Sequence, residues 1–329
     1  MNAVDEILRI EDLHVRFHSR EGEVKAVNGV SLSLKRDSVL AVVGESGSGK
    51  SVTALAILGM VPYPGEIIRG EIFLDQKDLR SMSTSQLREV LGKDIGVVFQ
   101  DPQASLNPTI RIGVQVEEVL LAHTRVSKRE AREWAEELLT SMAIPDARRI
   151  MDQYSFQLSG GMCQRVMMAM ALALEPKILI ADEPTSNLDT TLQASILSQL
   201  EQLKKEHGTA ILLITHDMGV VARMADTVAV MYAGSVVEYG EVGDIFRHPS
   251  HPYTSAILHA VPRLDDPERS LEMLRGRPPD PMDLPEECPY LPRCPRATNI
   301  CRISPRPALR PIQEEHTVAC FNALPYDRE

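Results

Sequence analysis

Residues 44–51 read GESGSGKS and follow VLAVV (39–43), an apolar run rich in β-branched residues. This is the pattern G-x-x-x-x-G-K-S between a buried strand and an apolar-periodic segment that starts near Lys50. Gly44, Gly47 and Gly49 let the backbone curl around Glu45, Ser46 and Ser48, so that successive N–H groups face phosphate oxygens. Lys50 then supplies positive charge for the β- and γ-phosphates, and the Ser51 hydroxyl is a ligand for Mg²⁺. With Gly at about 7% of residues, a chance match in a chain of this length is on the order of one in a hundred. A second stretch, ILIADEPTSNLD (178–189), ends a buried strand in two adjacent acids. Asp182 there can hold the Mg²⁺ shell through water, which leaves Glu183 free to orient or deprotonate an attacking water. The two stretches together point to binding of a nucleoside triphosphate and to its hydrolysis.

A third stretch, LSGGMCQR (158–165), precedes the helix-forming run VMMAMALAL. Ser159, Gly160 and Gly161 at a helix start make an anion-binding N-terminus, although alone they read only as a capped helix. One chain has little need of two such sites for one nucleotide. Two chains placed head to tail would each offer this helix to the other's γ-phosphate. His216 closes the run AILLITH and is followed by Asp217. A lone His there is ordinarily a satisfied strand-end residue, but beside a phosphate-loop motif it becomes a site candidate.

The elements that must position these residues are legible in outline. Residues 7–17 and 27–34 alternate apolar and polar, as half-buried strands do, and 71–74 and 95–99 are further short strands. Residues 128–143 place Ala131, Trp134, Ala135, Leu138, Leu139 and Met142 on one face of an amphipathic helix. ILIAD (178–182) and AILLIT (210–215) lack alternation, as strands covered on both sides do, and 190–206 between them reads as a helix. Strand–helix–strand alternation around a phosphate loop indicates an α/β fold. Beyond about residue 248 proline becomes frequent, and 275–296 cannot supply long helices or central strands. The expected domains are 1–261 and a small C-terminal extension, 262–329.

The 329 residues carry a net charge of −11, which argues against a nucleic-acid binder. No apolar run is long enough to span a membrane. The N-terminus MNAVDEILRI lacks the pattern of a secretory signal, so a cytoplasmic location is expected.

The ordered series of phosphate loop, VFQDP with Gln100, LSGGMCQR, ILIADEP, SNLD and ITHD resembles the ATP-binding subunits of ABC transporters over roughly residues 5–260. FQDPQASLNP (99–108), IPDARRIMDQYSFQLSGGM (144–162), VMYAGSVVEYG (230–240) and HPSHPYTSAIL (248–258) resemble the peptide-importer branch, and the Pro/Cys-rich tail extends the likeness to nearly the whole chain. The resemblance implies a P-loop ABC-type ATPase with a RecA-like core, an antiparallel β subdomain and a helical subdomain at about 101–170. It implies that Phe17 stacks on adenine and that 44–51 cradle the phosphates. Gln100 would touch Mg²⁺, Asp182 support it, Glu183 act as general base, and His216 contact the γ-phosphate. Ser159, Gly160, Gly161 and Gln164 would face the partner ATPase's nucleotide, with Asp189 in the loop that links the two sites.

Phe17 stands where the family more often has Tyr, and Asn187 and Gln157 depart from its usual Ala and Glu. Cys163 also stands where a basic or polar residue is more usual. None of these removes a catalytic group. Implied partners are two transmembrane permease subunits, a second ATPase chain (a heterodimer more than a homodimer) and an extracytoplasmic binding protein. The implied place is the cytoplasmic face of the inner membrane, and the implied cargo is di- or oligopeptides, or nickel, glutathione or D-amino-acid dipeptides. A soluble ABC ATPase acting on nucleic acid or ribosomes would need coiled-coil insertions or a second fused ATPase domain, and a P-loop kinase has no place for LSGG or for Gln100.

Four of the five cysteines fall late: Cys288, Cys294, Cys301 and Cys320. Four thiolates in a Pro-rich segment can wrap one soft metal centre, and the spacing lacks the paired C-x-x-C knuckles of structural zinc sites. The resemblance implies a [4Fe–4S] cluster here, with zinc, disulfides or merely packed thiols as alternatives. Cys163 stands apart from this group.

Overall fold

The computed structural model describes residues 5–186, 190–261 and 274–325. The alternating N-terminal runs form β1 (Glu6–His18) and β2 (Glu23–Lys35). The apolar run before the phosphate loop is β3 (Val39–Val43), every residue of it buried, and α1 (Lys50–Ile57) follows the loop. Next come β4 (Gly65–Leu74), β5 (Lys77–Asp78), α2 (Thr84–Val90) and β6 (Ile95–Val98). A helical stretch holds α3 (Pro102–Ser105), α4 (Ile112–His123), α5 (Lys128–Ser141), α6 (Ala147–Ile150) and α7 (Gly160–Leu172). Then follow β7 (Ile178–Asp182), α8 (Thr190–His207), β8 (Ala210–Thr215) and α9 (Met218–Met224). The hairpin β9 (Thr227–Tyr232) and β10 (Ser235–Glu241) leads into α10 (Val242–Arg247) and α11 (Pro252–His259). Beyond residue 274 lie α12 (Asn299–Ile303), β11 (Arg310–Gln313) and β12 (His316–Val318). The boundary expected at 261/262 meets the segment 262–273, outside the described residues.

The chain divides into two compact units, 1–34 with 39–80 and 214–329, and 35–38 with 81–213. In the first, β2-β1-β4-β5 make one sheet, with β1 and β4 antiparallel. Its second set of strands runs β11-β12-β10-β9-β3, antiparallel except where β3 pairs parallel with β9. A core of Ala41, Val43, Val228, Val230, Tyr232 and Tyr253 takes in Tyr290 of the C-terminal extension, so the extension packs as part of this unit.

In the second unit β6 and β7 pair in parallel. The face anticipated for α5 is realised: Ala131, Ala135 and Leu139 are fully buried, and Trp134, Leu138 and Met142 pack beside them. Ser127 and Glu130 close a capping box at its start, which satisfies backbone donors that the first turn leaves open.

A buried carboxylate helps to tie down the proline-rich tail. Glu238 of β10 is fully buried and accepts hydrogen bonds from the backbone N–H groups of Ser250 (2.6 Å) and His251 (2.8 Å). Nε2 of the equally buried His316 lies 2.8 Å from Glu238 Oε1, which joins β12 to the cassette. Stripping one partner from a buried charged network costs about 3–5 kcal/mol. Glu238→Ala is therefore expected to lower the free energy of unfolding by about 3 kcal/mol in urea melts, and a loss under about 0.5 kcal/mol would contradict this role.

Candidate active site

In the first unit the phosphate loop has the shape its sequence demands. Gly44 (φ 152°) and Gly49 (φ 99°) lie where side-chain-bearing residues are strained. A Cβ at Gly44 would stand 2.2 Å from the Met231 carbonyl oxygen, and one at Gly49 would stand 2.5 Å from that of Ala26. Ser46 and Gly47 are exposed at the loop's tip, Ser48 is buried, and Ser51 is half-buried in the first turn of α1. Lys50 is 6% exposed, and its Nζ donates to the carbonyls of Gly44 (2.8 Å) and Glu45 (3.0 Å). The amine is thus folded back over the loop, beside the helix N-terminus that favours an anion.

Glu45 is held from three sides. Its N–H donates to Tyr253 Oη at 2.8 Å, its carbonyl takes the Lys50 bond, and its carboxylate receives both Nη atoms of Arg293 at 2.8 Å. Phe17, the adenine-stacking candidate, is half-buried and opposite Gly65 in the β1–β4 register. A Cβ at Gly65 would come within 2.5 Å of the Phe17 ring, so glycine there makes room for it. His216 is exposed at the end of β8, and Asp217 after it caps α9, accepting from Gly219 N–H (2.8 Å) and Val220 N–H (3.3 Å).

In the second unit, buried Asp182 ends β7 and half-buried Glu183 follows it with φ 47°. A non-glycine residue in that region stores local strain of the kind functional sites retain. Gln100 Nε2 donates to Glu183 Oε2 at 2.9 Å, so the Mg²⁺-contact and general-base candidates stand side by side.

Ser159 caps α7, its Oγ accepting from Met162 N–H at 3.3 Å, and it is exposed together with Gly160. Gly161 lies close under Leu192: a Cβ would fall 2.4 Å from its Cδ2, so any larger residue would have to displace that side chain. Gln164 differs from the expectation of a partner-facing contact: it is 2% exposed, and its amide donates to the Pro184 carbonyl at 2.9 Å. Asn187 and Asp189 lie outside the described residues.

All five cysteines are free thiols. Cys288, Cys294, Cys301 and Cys320 line one small pocket with His251 and Tyr290, whereas Cys163 is buried in the second unit's core, 3.5 Å from the Ser155 carbonyl. Burial raises the Cys288 and Cys294 thiols and pushes Cys320 up to about 11, and neighbouring thiols of the set add to each shift. Burial also drives His251 down to about 4, and its Nδ1 accepts from Tyr253 N–H at 3.0 Å. Among the described residues no three His, Cys, Asp or Glu side chains stand in an arrangement that holds a metal ion. The four thiols still have the softness and the shared pocket that a sulfur-ligated group requires.

Sequence reasoning missed Arg293 and the tyrosines around it. Nothing local marks Arg293, whose partner Glu45 is 248 positions away.

A glycine-tight phosphate loop feeding a helix, with a strand-end acid pair and a serine-capped LSGG helix, defines an ATP-hydrolysing cassette. Among solved structures the chain is similar to the dimeric ATP-binding cassette MJ0796 in a post-hydrolysis state with ADP and phosphate, at 29% identity and a TM-score of 0.64, over 71% of this chain and 98% of that one. Family models match residues 27–186 as an ABC transporter and 237–301 as an oligopeptide/dipeptide transporter C-terminal region. The dipeptide transport ATP-binding protein DppD of Bacillus subtilis (strain 168) is 45% identical over 97% of this chain and 95% of its own length. The oligopeptide transport ATP-binding protein OppD of Escherichia coli (strain K12) is 45% identical over 97% and 94%. The chain belongs to the ABC transporter ATPases, in the family of dipeptide and oligopeptide transport ATP-binding proteins.

Proposed function

We propose that this chain is the ATPase that powers import of di- or oligopeptides from the cytoplasmic face of the inner membrane. The observation that carries this reading is 45% identity, over nearly the full length, to relatives named for dipeptide and oligopeptide transport. The path for the solute is assigned to two permease subunits, as the likeness to the dipeptide and oligopeptide transport ATP-binding proteins supports. A second ATPase chain, a heterodimer partner, and an extracytoplasmic binding protein complete the assembly. Coexpression with its permease subunits tests this, since the chain should then sediment with membranes. A chain that stays wholly in the supernatant under those conditions contradicts the assignment.

The residues divide the chemistry. Loop 44–51 and Lys50 bind the phosphates, and Phe17 stacks on the adenine. Mg²⁺, when bound, screens the phosphate charge; Ser51 of the phosphate loop would ligate it, and the family resemblance gives Gln100 and Asp182 their Mg²⁺ roles. Glu183 takes the proton of the attacking water and His216 steadies the γ-phosphate. Ser159 and Gly160, both exposed, together with Gly161 are offered to a partner's nucleotide, and Asp189 belongs to the linking loop. Gln164 supports the Pro184 turn from within.

The four-cysteine pocket is assigned a [4Fe–4S] cluster held by Cys288, Cys294, Cys301 and Cys320, with zinc as the alternative. Four free thiols lining one pocket support this, since thiolate sulfurs are the ligands such a cluster takes. The group's contribution is to cross-link a segment too poor in apolar area to hold itself. Anaerobically purified protein is expected to be brown, with about four irons per chain. Replacing any of the four cysteines by Ser should bleach it, while Cys163→Ser should not. A colourless preparation with stoichiometric zinc would overturn the iron–sulfur assignment and keep the four-thiol site.

A further inference from the structure

The loop from Cys288 to Cys294 reaches the base of the phosphate loop. Its tight turn is closed by backbone bonds from Leu291 N–H to Cys288 O (2.9 Å), Arg293 N–H to Tyr290 O (3.0 Å) and Cys294 N–H to Leu291 O (3.3 Å). That turn aims Tyr290 and Arg293 inward. The Arg293 side chain is 4% exposed and forms a two-pronged ion pair with the Glu45 carboxylate. It also donates to the Arg275 carbonyl (2.8 Å) and to Tyr232 Oη (3.2 Å). The Tyr290 ring packs edge-on against Tyr232 and Tyr253, with centroids at 5.3 and 5.4 Å, and Tyr253 is the residue that takes the Glu45 N–H. A second strand of contact comes from the prolines. Pro278, Pro279 and Pro281 line a small pocket with Ser46, Gly47 and Ser48, and the Pro281 carbonyl accepts from Lys25 N–H at 2.9 Å.

Glu45 sets a negative charge inside a loop built to attract a polyanion. Left unpaired there, its carboxylate would repel the triphosphate and compete for Lys50. A planar guanidinium gripping both oxygens removes that charge and fixes the side chain's direction at once.

We propose that Arg293 is a positioning residue for nucleotide binding: through it the cysteine-bearing loop of the C-terminal extension neutralises Glu45 and holds the phosphate loop in its phosphate-accepting shape. The extension is then a brace on the ATP site as well as an appendage. This rests on the reading of the loop at 44–51 as an ATP site.

The test is equilibrium binding of MgATP to the full-length chain by calorimetry, on the wild type, Arg293→Met and the double variant Arg293→Met with Glu45→Gln. Arg293→Met is expected to bind at least about tenfold more weakly, the scale of a lost charge-assisted pair. Removing the stranded carboxylate in the double variant should recover at least about fivefold of that loss. A purely structural role for the pair predicts no recovery, because the double variant lacks it from both sides. Wild-type affinity in Arg293→Met, or a double variant no tighter than Arg293→Met, overturns the inference. A wild-type chain that binds no MgATP overturns the ATP-site reading and this inference with it.

Discussion

Glu183→Gln is expected to abolish ATP turnover and leave ATP binding intact. The amide keeps the size of the carboxylate but cannot take the proton of the attacking water. Its oxygen can still accept the Gln100 Nε2 bond, now 2.9 Å, so the strained backbone at φ 47° keeps its local support. A positioned general base contributes about 10²–10⁴ in rate, or roughly 3–5 kcal/mol of barrier. The assembled transporter carrying this variant should therefore hydrolyse at least about a hundredfold more slowly and accumulate ATP-bound closed dimers. Single-turnover measurements with labelled ATP would check it. Turnover within about threefold of wild type corresponds to less than about 1 kcal/mol and removes Glu183 as the base.

Lys50→Ala acts a step earlier, on binding. The amine is nearly buried and sits over the loop on the Gly44 and Glu45 carbonyls, from which it can swing to phosphate oxygens. Two charge-assisted bonds to phosphate put the loss on the order of a hundredfold in ATP affinity. Transport should fail with it. Calorimetry with MgATP reads the effect directly, and a melting curve separates it from any loosening of the loop. Unchanged affinity in a folded Lys50→Ala chain would dismantle the phosphate-loop assignment.

What was legible in the sequence was local. The phosphate loop declares itself because its glycines, lysine and serine fall within eight consecutive residues, and α5 because its apolar face repeats at the helical period over fourteen. β4 is longer than the run 71–74 suggested: it starts at Gly65, and its first residues are largely exposed, so no alternation marks them. β12 has only three residues and owes its place to pairing with β10 and to the buried Glu238–His316 contact, neither of which leaves a periodic trace. The pairing of Gln100 with Glu183 spans 83 positions and that of Arg293 with Glu45 spans 248. Such contacts belong to the tertiary structure alone, and the second is the one through which the proline-rich tail gains a part in the ATP site. Gln164 shows the converse: its motif position suggested an outward contact, and its buried amide is instead bonded to Pro184.

The most direct test is ATP hydrolysis by the purified complex of this chain with its permeases and second ATPase subunit in lipid, with and without binding protein loaded with a mixture of di- and oligopeptides. Hydrolysis should rise several-fold with loaded binding protein, in step with peptide uptake, and both should collapse when this chain carries Glu183→Gln. Hydrolysis indifferent to peptide, or peptide uptake undiminished by Glu183→Gln, would contradict the assignment of this chain as the ATPase that drives peptide import.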